Sequence, residues 1–224
     1  MQAIEERIQY GFSNKSLLLN ALTHSSYANE NRGRSCESNE RLEFLGDSVL
    51  GLVVADALYG RFPDMPEGRM TRLRAQLVCE ESLHHVATQI GLGEYIRLGK
   101  GEEHTGGRTR TSILADAVEA LIAAMYLDGG MEVSRAFITR YILTALDGQM
   151  PGFGDSKTEL QELVQRKSGS VLAYELLSES GPDHDKTFTS QVSLNGKPIG
   201  SGSGRTKKEA EQAAARAALR ELRK

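Results

Sequence analysis

Residues 39–50, Asn-Glu-Arg-Leu-Glu-Phe-Leu-Gly-Asp-Ser-Val-Leu, open a helical pattern that runs on through Val53, Val54, Ala57 and Leu58 to Gly60. Wound at about 100° per residue, Leu42, Leu45, Val49, Leu52 and Val53 fall between about 120° and 220° from Glu40, which predicts one apolar face for a core. Glu40, Glu43 and Asp47 gather on the other side, within an arc of about 60°. Like charges three and four residues apart weaken an isolated helix by about a few tenths of a kcal/mol per pair, and by more where water is excluded. A solvated acidic face and a cation-binding face both fit this pattern, and only a second source of ligands separates them.

That source is the stretch 112–127, Ser-Ile-Leu-Ala-Asp-Ala-Val-Glu-Ala-Leu-Ile-Ala-Ala-Met-Tyr-Leu, apolar almost all round except at Asp116 and Glu119. Such a helix is buried. Two carboxylates one turn apart on it are costly unless paired, protonated or bound to metal. If the two helices pack side by side, Glu43, Asp47, Asp116 and Glu119 can converge as an oxygen-only cage, which suits Mg²⁺ or Mn²⁺ and not zinc.

Around these two stretches the pattern predicts helices at 4–9 and 15–22, the second capped by Ser13-Asn14. A break at 23–27 and a polar loop at 28–38 follow, and His24 in the break reads as a hydrogen-bonded structural histidine. A turn-rich loop at 61–68 leads to helices at 69–79 and 80–90. Gly99-Lys100-Gly101 resembles a phosphate-cradling loop only superficially, since no Gly-Lys-Ser/Thr follows and no strand precedes it. It reads as a connector, with His104 an exposed loop residue. Asp128-Gly129-Gly130 ends the buried helix, and an amphipathic helix at 131–146 completes an all-α unit, residues 1–148. Residues 149–156, rich in glycine with one proline, read as a linker. From 157 the pattern changes to a helix at 157–167, strands at 173–178, 188–194 and 199–204, and an alanine-rich helix at 207–222. Asn195-Gly196 between alternating segments predicts a hairpin. The second unit, 157–224, is therefore a small α+β domain of order α-β-β-β-α.

Composition adds little to the fold and something to the partners. No apolar run approaches the length of a membrane span and the N-terminus is no signal peptide, so a soluble cytoplasmic protein is expected. Cys36 and Cys79 lie far apart with no CxxC, which points to neither a disulfide framework nor a zinc site. The net charge of −3 hides an asymmetry: residues 1–154 carry 15 Lys/Arg against 20 Asp/Glu, and 155–224 carry 12 against 10. A mildly basic second unit is compatible with nucleic acid.

Residues 39–50 resemble the signature of the bacterial ribonuclease III family, and Leu114-Ala115-Asp116-Ala117-Val118-Glu119-Ala120 resembles its second acidic motif. The C-terminal unit resembles a double-stranded-RNA-binding domain through Gly181-Pro182-Asp183-His184 and Lys207-Lys208-Glu209-Ala210. The resemblance implies a homodimeric, Mg²⁺- or Mn²⁺-dependent endoribonuclease with a composite cleft between subunits. It also implies staggered cuts of duplex RNA that leave 5′-phosphate and 3′-hydroxyl ends, and a role in processing ribosomal RNA precursors. By the same resemblance Glu43, Asp47, Asp116 and Glu119 match metal-binding carboxylates. Glu40 and Glu67 join Asp47 and Glu119 as acids of the active centre. Phe44 matches a knob inserted into the partner subunit, the alternative being an intramolecular core phenylalanine. Thr158, Gln161 and Glu162 match a helix that lies on the minor groove, His184 matches a second minor-groove contact, and Lys207 with Lys208 match phosphate contacts. Glu211 departs from the pattern, in which many such domains carry a further lysine. A non-catalytic relative would be expected to lose carboxylates, and none of the four is lost.

Overall fold

The computed structural model describes residues 2–31, 36–147, 156–165, 170–182 and 186–222. The chain divides into two compact units, residues 1–149 and 150–224. In the first, helices α1 (Gln2–Ile8), α2 (Lys15–Ala21), α3 (Ser25–Glu30) and α4 (Glu40–Arg61) are followed by α5 (Glu67–Leu77), α6 (Glu80–Gln89) and α7 (Lys100–His104). Helices α8 (Thr111–Gly129) and α9 (Met131–Tyr141) complete it. The near-continuous apolar surface of α8 makes it the central helix, with α2, α4, α6 and α9 packed on it. Eleven of its residues, from Ile113 to Met125, are buried, which removes apolar area from water all round the helix.

Local chemistry explains where the structure departs from the pattern. Helix α3 lies where a break and a loop are expected, because the His24 ring caps it: Nδ1 accepts the Ser26 N–H at 3.3 Å. Part of the expected connector at 99–107 closes into the short α7, which Gly106, at φ 81°, follows. The helix expected over 131–146 ends as α-helix at Tyr141 and continues as a 3-10 segment, Leu143–Asp147. Asp128, near the end of α8, accepts hydrogen bonds from the Tyr10 hydroxyl and from the Ser13 and Asn14 N–H groups, at 2.7, 2.8 and 2.7 Å. One carboxylate thus ties the start of α2 to the end of α8.

In α4 the buried residues are Leu42, Gly46, Val49, Leu50, Val53, Val54 and Leu58. On the same wheel they centre at about 240°, so the helix is rolled toward its acidic side by about 70° from the apolar face read in the pattern. Leu52, expected in the core, is 58% exposed. Gly46 is the reason: a Cβ there would collide with the backbone carbonyl of Glu119, so the two helices meet backbone to backbone only because this residue has no side chain.

The second unit holds α10 (Ser156–Gln165), strands β1 (Leu172–Ser180), β2 (Thr187–Leu194) and β3 (Lys197–Gly204), and α11 (Lys207–Leu222). The antiparallel sheet has the order β1-β2-β3. Asn195 and Gly196 both have positive φ, 50° and 80°, as a tight hairpin turn requires. Gly200, Gly202 and Gly204 alternate along β3, and a Cβ at any of them would strike α11. That glycine face lets Ala214, Ala215 and Ala218 close on the sheet around Leu160, Val164, Val192 and Leu219.

Candidate metal centre

The roll of α4 carries Glu43 to the edge of its contact with α8, opposite Asp116 and Glu119. One carboxylate oxygen from each of Glu43, Asp116 and Glu119 lies within 4.8 Å of the other two, and all three residues are half-buried. Burial raises all three above the ordinary carboxylate range. For Glu43 the neighbouring Asp116 and Glu40 add to it, and for Asp116 Glu80 adds while His24 opposes. Glu119 is pushed up to about 7 by burial and by Asp47, Asp116 and Glu43. Among the described residues, the charges that raise these groups are all other acids, and His24 opposes them at Asp116. Such an arrangement opposes its own ionisation, and a hard divalent cation would reverse that. The donors are all carboxylate oxygens, the half-burial limits competing water, and the close approach is fixed by backbone contact at Gly46; the residues present fit Mg²⁺ or Mn²⁺.

The other candidate residues fall into different places. Asp47 is exposed and stands outside the closest three, although its charge acts on Glu119. Glu40 begins α4, accepts from the Ser38 hydroxyl at 2.9 Å and acts on Glu43. Glu67 does not join the group. It accepts from the Thr71 hydroxyl at 2.6 Å and lines a cavity of about 450 Å³ with Leu52, Tyr59, Met70 and Arg74. Phe44 is 79% exposed, which excludes the intramolecular core for it among the described residues. Leu52 and Tyr59 of the same helix are also exposed.

Two residues near the centre escape the sequence patterns. Glu80 begins α6 and His24 caps α3, yet both act electrostatically on Asp116. The His24 ring is held from behind, since Ser26 Oγ lies 2.8 Å from Nδ1 and accepts the Gly99 N–H at 2.9 Å. Nothing in the spacing of either residue points to α8. Gly46 could have been found: a glycine inside a long helix costs about 1 kcal/mol against alanine and needs a packing reason.

In the second unit Thr158 is half-exposed and Gln161 and Glu162 are exposed on α10. Lys207 and Lys208 are exposed in the first turn of α11, with Lys207 Nζ 5.9 Å from the centre of the Phe188 ring. His184 lies outside the described residues.

The chain thus joins a helical unit with a converging all-carboxylate centre, a candidate metal site, to a separate α-β-β-β-α module. The Ribonuclease-III-like family model matches residues 14–146, and the Double-stranded RNA binding motif matches residues 156–222. The chain is 51% identical over 221 residues to Ribonuclease 3 of Desulforamulus reducens, covering 98% of this chain and 90% of that protein. It is 49% identical over 222 residues to Ribonuclease 3 of Listeria monocytogenes, covering 99% and 97%. The solved nuclease domain of ribonuclease III from Campylobacter jejuni matches with a TM-score of 0.59 at 41% identity, covering 63% of this chain and 95% of that domain. The chain belongs to the ribonuclease III family and is an endoribonuclease by class.

Proposed function

We propose that the protein is a Mg²⁺-dependent endoribonuclease that hydrolyses phosphodiester bonds of double-stranded RNA, with Mn²⁺ as a substitute ion. The observation that carries this reading is the convergence of Glu43, Asp116 and Glu119, three half-buried acids with raised pKa values, in a chain that also bears a double-stranded-RNA-binding motif. These three residues together with Asp47 would hold the metal, and Glu40 adds to its negative surroundings. When bound, the metal supplies an activated water and stabilises the leaving 3′ oxygen. The backbone contact of α4 with α8 fixes the carboxylates that would hold it, and the products carry 5′-phosphate and 3′-hydroxyl ends with staggered cuts.

Because Glu67 lies outside the Glu43, Asp116 and Glu119 group and beside the exposed Leu52 and Tyr59, we assign it to a centre completed across a homodimer. Phe44 is the anchor of that contact. The Campylobacter domain has a region involved in dimer formation, which supports a homodimer. Thr158, Gln161, Glu162 and His184 face the minor groove, while Lys207 and Lys208 face phosphate at the N-terminus of α11. The working boundaries are 1–148 for the nuclease domain, 149–156 for the linker and 157–224 for the RNA-binding domain. The protein acts in the cytoplasm on ribosomal RNA precursors and other structured transcripts; among the described residues no helix is long and apolar enough to cross a membrane.

The test is incubation with long duplex RNA and Mg²⁺ beside Asp47→Ala and Glu119→Ala variants. Duplex cut by the wild type and left intact by both variants is expected; intact wild-type product overturns the activity, and equal cleavage by the variants overturns the site. Phe44→Ala is expected to shift the wild-type dimer toward monomer in sedimentation at micromolar concentration.

A further inference from the structure

The cationic start of α11 contains an acid that local structure does not require. Its first two turns hold Lys207, Lys208, Glu209 and Glu211. Glu209 is accounted for by the helix itself: its N–H donates to Thr206 Oγ1 at 3.1 Å, and its Oε2 accepts the Arg205 N–H at 2.8 Å. This is a local capping arrangement with an acid at the positive end of the helix dipole.

Glu211 does something else. Four residues after Lys207 and three after Lys208, it shares their side of the helix. Its Oε2 lies 2.6 Å from Lys157 Nζ, in a pair whose side chains are only 31% and 35% exposed. Lys157 is held twice more: its backbone N–H donates to Gln212 Oε1 at 3.1 Å, and its ammonium lies 4.5 Å from the centre of the Tyr174 ring. Lys157 is also the residue before Thr158, in the first turn of α10. The pair therefore occupies the seam between the helix assigned to the minor groove and the helix assigned to phosphate.

We infer that Glu211 limits the affinity of this domain for duplex RNA, by holding Lys157 in an ion pair at the α10–α11 seam and so withholding its charge from phosphate. The inference rests on the reading of α10 and α11 as the RNA face. A lysine and a glutamate bound to each other contribute no net charge where a free lysine would contribute one, and phosphate neutralisation by lysines supplies the sequence-independent part of duplex binding. A partly exposed pair of this kind adds little stability, so its effect belongs in binding and its salt dependence, not in the melting of the domain.

The test is binding of the full chain to a short RNA duplex in EDTA, where no cleavage intervenes, across a range of KCl. The variants are Glu211→Gln, Glu211→Lys, Lys157→Met and a Lys207→Ala/Lys208→Ala control, each checked for an unchanged thermal transition. Glu211→Gln is expected to bind about threefold tighter and Glu211→Lys about tenfold, with log K falling more steeply against log salt by about one contact for the first and about two for the second. Lys157→Met, which leaves Glu211 uncompensated, is expected to bind more weakly, and adding Glu211→Gln to it restores wild-type binding. Unchanged or weaker binding by both Glu211 variants, with the lysine control weakened, overturns the role of Glu211 and leaves the RNA face standing. Full-strength binding by the lysine control overturns the reading of α11 and the inference with it.

Discussion

The acidic centre and the basic start of α11 carry opposite charge, and they are built by opposite means. Glu43, Asp116 and Glu119 are half-buried and stand on helices that form the core of their unit; burial raises the pKa of each, Asp116 adds to the rise at Glu43, and Asp116 and Glu43 both add to the rise at Glu119. Lys207 and Lys208 are exposed in a first turn where the Arg205 N–H donates to Glu209 and the Glu209 N–H to the Thr206 hydroxyl. The first arrangement costs folding energy that a cation must offset, so its parts act as a unit. The second costs almost nothing, and in the role proposed for it would work by summing separate contacts with phosphate. Catalysis demands fixed positions, and a grip on an A-form duplex of any sequence demands only charge and shape.

The contrast breaks first, if at all, at the centre. Asp116→Asn keeps the volume and removes one charge from the cluster; RNA cleavage under saturating Mg²⁺ is expected to fall by about a thousandfold or more, with duplex binding in EDTA retained. A loss of less than about tenfold would mean that the three acids do not act together. Gly46→Ala tests whether backbone contact sets the positions. Its methyl group meets the Glu119 carbonyl, so α4 and α8 must separate, and a loss of about 1–3 kcal/mol in the stability of the nuclease unit is expected together with reduced cleavage. Unfolding measured by denaturant, with the RNA-binding unit followed separately, decides it.

The buried acids also predict a pH signature that the exposed lysines lack. Glu119 has the ordinary pKa of 4.5 in the unfolded chain and is pushed up to about 7 in the folded one. In metal-free buffer its contribution to stability is therefore full below about 4.5 and lost as pH rises through about 7. Magnesium favours the ionised form, so the rise in Tm on adding Mg²⁺ should be larger at about pH 8 than at about pH 5.5. An equal rise at both values would separate metal binding from these groups. The smallest effect belongs to the basic turn: Lys207→Ala should weaken duplex binding by about a few-fold and reduce the salt slope by about one contact, evenly across sequences.

Much of this molecule is legible along the chain because short-range chemistry repeats. The α-β-β-β-α order, the Asn195-Gly196 hairpin and the buried character of α8 follow from periodicity and turn residues that act within a few positions. The same local logic marks Asp116 and Glu119, since two acids in an otherwise apolar helix have few explanations. Where it errs, the cause is again local but carried by side chains: His24 caps α3 in a stretch that reads as loop, because a histidine ring can accept a backbone N–H that composition does not reveal.

What the tertiary structure decided is how α4 is turned. Its apolar pattern points one way, and the packing of Gly46 on Glu119 turns it another, which exposes Leu52 and brings Glu43 to Asp116 and Glu119 while Asp47 stays in solvent. A single helix has no means of specifying its own rotation, because that is set by which partner surface lets two backbones approach. For the same reason Glu80 and His24 near Asp116, and the pairing of Lys157 with Glu211, belong to the fold alone: each joins residues from separate elements whose spacing in the chain carries no trace of the contact. The sequence by itself determined which residues bear the chemistry and in what secondary elements; close packing decided which of them meet.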